Sequence, residues 1–113
     1  MQLPLADALG RYLDLSSRQM AATASNVANV DTPGYQSVGV DVAGEFGRIL
    51  QGQIAAGEAQ PVPGLVARPD GNNVSVDREG LAMAKTQLEF RTGVDLLRHE
   101  FSRVMDAIKA EAK

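Results

Sequence analysis

The stretch Ala24-Ser25-Asn26-Val27-Ala28-Asn29-Val30-Asp31-Thr32-Pro33-Gly34-Tyr35 turns a helix-forming sequence into a forced turn. Pro33 has no backbone N–H and pushes Thr32 toward extended geometry, so a helix arriving from the N-terminal side stops near Asn29 to Asp31. Pro33 and Gly34 suit the two central positions of a type II turn: Pro pre-sets the first φ and Gly accepts the positive second one. Such a turn projects Tyr35 at a fixed angle.

Upstream, apolar residues fall at Leu5, Leu9, Leu13, Met20, Ala24 and Val27, with Ser16 in the remaining slot, in steps of 4, 4, 3, 4, 4 and 3. That is an 11-residue repeat, which suits a straight or slightly right-handed packing of an N-terminal helix over residues 1–30. Asp7 with Arg11 and Asp14 with Arg18 form acidic-then-basic pairs four residues apart on the other face, each worth a few tenths of a kcal/mol.

Downstream, residues 31–76 hold the turn and an irregular middle. Seven of the eleven glycines and three of the five prolines lie between Gln36 and Asn73, which argues against a long helix there. Ser37 to Val42 alternates and reads as a short strand or extended arm. Phe46, Ile49, Leu50 and Ile54 suggest a marginal helix over residues 45–56, weakened at Gly47 and Gly52 by roughly 1 kcal/mol each. Gly57 to Gly64, with Pro61 and Pro63, reads as a flexible linker, and Asp70-Gly71 as a turn before Val74-Ser75-Val76.

A second long helix is predicted over residues 77–113, with Asp77 as N-cap and Glu79 complementing the helix N-terminus. Its inward series is Met83, Gln87, Phe90, Val94, Leu97, Phe101, Val104 and Ile108, a heptad seam. Leu81, Ala84, Leu88 and Leu96 form a second apolar line, so more than one neighbour is implied. The fold class is therefore mainly α: long N- and C-terminal helices packed as an antiparallel pair or coiled coil, with a Gly/Pro-rich middle containing short extended segments. Two helices cover only part of each other's stripes, and apolar burial is worth about 25 cal/mol per Å², so assembly with further copies or related subunits completes the core.

Composition narrows the function. The net charge of −3 offers no footprint for nucleic acid or an anionic membrane surface, and the absence of cysteine removes disulfide and thiolate chemistry. No stretch reaches the ~20 apolar residues of a spanning helix, so no direct membrane insertion is expected. Met1 to Asp7 lacks the pattern of a signal peptide, so an exported role needs a route without a cleaved signal. His99 is the single histidine and has no metal-ligating companions. Asp70-x-Asn72 opens like a calcium loop, but Val74 stands where a ligand is needed and no closing Glu follows. Asn73-Val74-Ser75 matches a glycosylation sequon. Nothing points to a catalytic residue, a metal, a cofactor or a small-molecule substrate.

The ordered dozen from Ala24 to Tyr35 resembles the N-terminal signature of bacterial flagellar basal-body rod and hook subunits. Asp70-Gly71-Asn72-Asn73-Val74, Asp77-Arg78-Glu79 and Ala84-Lys85-Thr86-Gln87-Leu88 resemble, within the rod family, the B-type subunits of the proximal rod. The Asn-Leu-Ile and Gln-Arg-Ala/Ser-Phe patterns of hook and distal-rod subunits, and their large central insertions, are absent. So is the Val-Glu-Glu-Met stretch of C-type subunits.

The resemblance implies a non-enzymatic structural subunit of the periplasm-spanning rod in the flagellar basal body, exported by the flagellar type III apparatus. Its implied partners are rod subunits of the same and related types, with export-gate or basal adaptor proteins at the rod base. The implied family-motif and subunit-contact residues are Asn26, Asn29, Asp31, Thr32, Pro33, Gly34 and Tyr35. Asn26 and Asn29 either bond backbone groups of a neighbour or cap their own helix. The implied assembly seam is Leu5, Leu9, Leu13, Met20, Phe90, Val94, Leu97, Phe101, Val104 and Ile108. The resemblance also implies terminal helices that order on assembly. The alternative is a small helical chaperone or adaptor of an export system.

Overall fold

A computed structural model describes residues 4–54 and 57–112 of the chain. The first residues of the helix expected over 1–30, the last two of the helix expected over 45–56 and the terminal Lys113 lie outside the described residues. The elements are α1 (Leu5–Ala28), β1 (Val38–Gly39), α2 (Val42–Leu50), β2 (Gln60–Pro61) and α3 (Val76–Glu111).

Helix α1 begins directly after Pro4, whose carbonyl accepts from Ala8 N at 3.0 Å. It ends at Ala28, where Asn29 N–H shares the Ser25 and Asn26 carbonyls, both at 3.1 Å. The chain then reverses: Tyr35 N donates to Thr32 O at 3.2 Å across Pro33 and Gly34, with Gly34 at φ +76°. This is the expected turn, since only glycine takes that φ without strain.

α1 and α3 pack antiparallel. Asn26 at the end of α1 meets Glu79 at the start of α3, and Tyr12 meets Glu89 further along. At Gly93 the helices pack tightly: a Cβ there would stand 2.8 Å from Leu13 Cδ2.

The phase of both helices departs from the apolar count. On α1 the buried residues are Ala8, Leu9, Leu15, Ser16, Ala22, Thr23 and Asn26, whereas Leu5 and Val27 are exposed, as is Ala24. The inward line through Leu9, Tyr12, Ser16, Gln19, Thr23 and Asn26 advances by 3, 4, 3, 4 and 3 residues, a heptad rather than an 11-residue repeat. Leu13 and Met20 lie half-buried on its flank. On α3 the buried line is Glu79, Thr86, Gly93 and Glu100, one residue every seven. Phe90, Val94 and Leu97 are half-buried beside it. Phe101, Val104 and Ile108 are exposed, because α3 runs on past the start of α1 and every residue from 101 to 112 is uncovered.

The start of α3 also differs. Ser75, not Asp77, is the N-cap, its hydroxyl accepting from Arg78 N at 3.3 Å. Glu79 lies with Asp77 in the first turn, as expected, and at 1% exposure it also makes a tertiary contact with Asn26.

The middle is more ordered than its glycine and proline content suggests. α2 starts at Val42, capped by Asp41, whose Oδ1 accepts from Gly44 N at 3.1 Å, and ends at Leu50 before Gly52 turns at φ +79°. A Cβ at Gly44 would overlap the Asp41 carboxylate, so glycine lets the cap close. Val42 and Ile49 join Leu15 and Val40 in the hydrophobic core, with Tyr12 and Phe46 packed edge-to-face at 5.0 Å. The extended arm expected over 37–42 shortens to β1. The segment expected as a linker supplies β2, antiparallel with Val38 opposite Pro61 and Gly39 opposite Gln60.

Candidate functional site

The turn motif meets the loop that precedes α3 through its backbone, while its side chains tie it to β1, to α3 and to one another. Asn26 is 1% exposed and uses both ends of its amide. Its Nδ2 donates to Val38 O at 2.8 Å and to Glu79 Oε1 at 3.0 Å, while its Oδ1 accepts from Val38 N at 2.9 Å and from Tyr35 OH at 3.1 Å. The amide thus pairs both backbone groups of Val38, as a neighbouring strand would, and ties α1 to β1, α3 and the turn at once. A neutral hydrogen bond is worth about 1 kcal/mol net, but leaving such buried groups unpaired costs about 1–3 kcal/mol each.

Tyr35 is not projected outward. It folds back half-buried over the end of α1, its hydroxyl between Ser25 Oγ at 3.1 Å and Asn26 Oδ1. Asn29 donates from Nδ2 to Ser25 O at 2.8 Å and accepts from Thr32 Oγ1 at 3.0 Å, so it caps its own helix and braces the turn. Asp31, Thr32, Pro33 and Gly34 are exposed.

The other half of the junction is Arg68 to Val74. Asn72, fully buried, donates to Asn29 O at 2.9 Å and Thr32 O at 2.8 Å and accepts from Val74 N at 2.8 Å. Asn73 Oδ1 accepts from Ser37 N at 2.6 Å, and its Nδ2 donates to Gln36 Oε1 at 2.8 Å. Arg68 donates to the Val74 and Val30 carbonyls. Gly34 N donates to Asp70 O at 2.9 Å, and Gly71, at φ +85°, lies so close that a Cβ on it would stand 3.3 Å from Gly34 Cα. Asn73 is 9% exposed and engaged at both ends, so the sequon is not presented to solvent.

The side-chain roles of Arg68, Asn72, Asn73 and Glu79 escape a reading by periodicity. The one local signal is Asp70-Gly71 followed by two asparagines, residues whose amides satisfy turn backbones.

Electrostatics adds perturbed groups with clear causes and an ion pair in which only the carboxylate is buried. Burial raises the Tyr12 phenol above its ordinary value, helped by the charge and hydrogen bond of Glu89. The Arg103 hydrogen bond holds Glu100 below the usual carboxylate range. Glu79 pairs with Arg78 at 3.3 Å. Among the described residues no three His, Cys, Asp or Glu side chains are grouped to hold a metal ion, and no helix is long and apolar enough to cross a membrane. What the junction does is mechanical: it fixes the angle and register at which the two long helices meet.

Residues 13–36, which contain the whole turn motif, match the family described as flagella basal body rod protein. Among curated relatives, the flagellar basal body rod protein FlgB of Escherichia coli is 26% identical over 121 residues, spanning 87% of this chain and 88% of the relative. FlgB of Borrelia hermsii is 26% identical, spanning 91% and 94%. FlgB of Cereibacter sphaeroides is 30% identical over 102 residues, spanning 77% of this chain and 80% of the relative. At that identity and coverage, with Asn26, Asn29 and the whole turn motif inside the segment matched by the family, the chain belongs to the flagellar basal-body rod proteins of the B type.

Proposed function

We propose that this chain is a structural, non-enzymatic subunit of the rod in the flagellar basal body, placed in the proximal rod and assembled with other axial subunits into the torque-transmitting shaft. The supporting observation is the combination of a rigidly tied helix pair with an apolar seam that the pair does not cover: Leu81, Leu88, Leu96, Phe101, Val104, Met105 and Ile108 are all exposed. Close-packed helices resist shear, which suits a shaft. Export runs through the flagellar type III apparatus, and the rod base meets the export gate or its adaptor.

The test is complementation of a motile bacterium lacking its own B-type rod subunit. Restored swimming and recovery of the chain in purified basal bodies are the expected result. A chain that stays in the cytosol as a stable, highly helical oligomer would favour an export chaperone or adaptor instead.

A further inference from the structure

Two apolar pieces of the surface, among several exposed apolar side chains, match one another. The first is the overhang of α3 beyond α1, residues 101–112. There Phe101, Val104, Met105 and Ile108 lie at positions i, i+3, i+4 and i+7, the anchor spacing of a helix that docks in a groove, and are between 44% and 57% exposed. The second is an open groove between α1 and α3, floored by Met20, Phe90 and Val94 and rimmed on α3 by Arg91, Asp95 and Arg98.

At 1.5 Å per residue the overhang and the stretch of α3 that walls the groove, Gln87 to Arg98, are each about 18 Å long. The charges also correspond. Glu111 and Lys109 lie on opposite margins of the overhang's apolar face, and the groove rim carries two arginines and an aspartate. Among the described residues, Arg91, Arg98 and Glu111 enter no ion pair within the chain.

We infer that the overhang of one copy docks into the α1–α3 groove of a second copy of this chain. The inference rests on the proposed rod function and names the surface through which like subunits would meet. Knob and groove occupy different parts of α3, so the contact either reciprocates about a two-fold axis or runs head to tail; in the proposed rod it runs head to tail, and the chain of contacts extends as a helical array or closes as a ring. Three turns of helix make a small interface, so the contact is weak in isolation and strong only when repeated.

The chain has no cysteine, so single engineered thiols report unambiguously. Val94→Cys and Met105→Cys variants are co-expressed in a host lacking its own B-type subunit, and basal bodies are oxidised and run on a non-reducing gel. The Asp95→Cys and Lys109→Cys pair, at exposed positions, repeats the test should the first pair disturb packing. A mixed groove–overhang disulfide, severalfold above either like-with-like dimer, is the expected result. Overhang-only dimers, or no dimer from variants recovered in basal bodies, overturn the docking while leaving the rod function standing. If even the parent chain is absent from basal bodies, the rod function fails. The docking is then decided on the purified variants by the same criterion.

Discussion

Asn26 Nδ2 and Glu79 Oε1 meet at 3.0 Å across 53 residues of sequence, inside the junction where the first long helix ends and the second begins. Replacing Asn26 by Ala strands the Val38 backbone groups and the Glu79 carboxylate, and should cost about 3 kcal/mol in urea unfolding. Asn26→Asp places a second carboxylate against Glu79. Like charges raise the folded-state carboxyl pKa values, so relative to the parent this variant should lose stability as pH rises through those raised values.

Asn72→Ala removes the donors to the Asn29 and Thr32 carbonyls and the acceptor for Val74 N. Destabilisation of about 2 kcal/mol is expected. Hydrogen exchange should accelerate first at residues 29–37 and 68–75, with the centre of the α1–α3 pair still protected.

The helical glycines should separate by environment. Gly80 has open space around its Cβ position, so Gly80→Ala should stabilise by up to ~1 kcal/mol through helix propensity. Gly93 has Leu13 at 2.8 Å, so Gly93→Leu should cost about 2–3 kcal/mol by forcing the helices apart. Thermal melts of the two variants check both signs.

In a Tyr35→Phe background the remaining tyrosine, Tyr12, should ionise above its ordinary value of 10.0, because burial and the neighbouring Glu89 both disfavour the phenolate. Its contribution to stability is complete below the unfolded-state pKa and is lost as pH rises through the folded one. Glu89→Gln should lower the titration midpoint, followed by ultraviolet absorbance, yet leave it elevated by the burial that is the larger cause.

Phe101 is 57% exposed, so Phe101→Asp should leave the isolated chain's stability within about 0.5 kcal/mol while abolishing basal-body incorporation and swimming. Swimming at the parent's level would count against a role for the seam in assembly.

Much of this fold is legible in the chain. Pro33 and Gly34 fix where α1 ends and how it turns, and the proline-free C-terminal third announces α3. Misreading begins where polar residues are interior. Ser16, Thr23 and Asn26 face inward on α1, so a count of leucines and methionines tracks its flank instead. Asn26 is buried because Val38, Tyr35 and Glu79 complete its bonds, and three such partners are assembled only by the folded chain. Ser75 and Asp77 are both good caps, and the choice falls to Ser75 because the Asn72–Val74 bond delivers the chain to the helix there. β2 lies among glycines and prolines and exists because Ser37 accepts from Val62 N at 3.0 Å beside the Val38–Pro61 pair.

The chain leaves the junction after Val38 and returns to it at Arg68, and the bond between Ser37 and Asn73 closes the circuit at its neck. Whatever lies between is held at its ends independently of its length, and lengthening such a loop is cheap: each doubling costs only about 0.6 kcal/mol. Ile54 and Val66, 95% and 90% exposed, mark where additional sequence would be accommodated away from the α2 core. Sequence inserted between the two halves of the junction should therefore leave the α1–α3 pair standing, since the neck bond and the asparagine contacts hold the ends of the excursion.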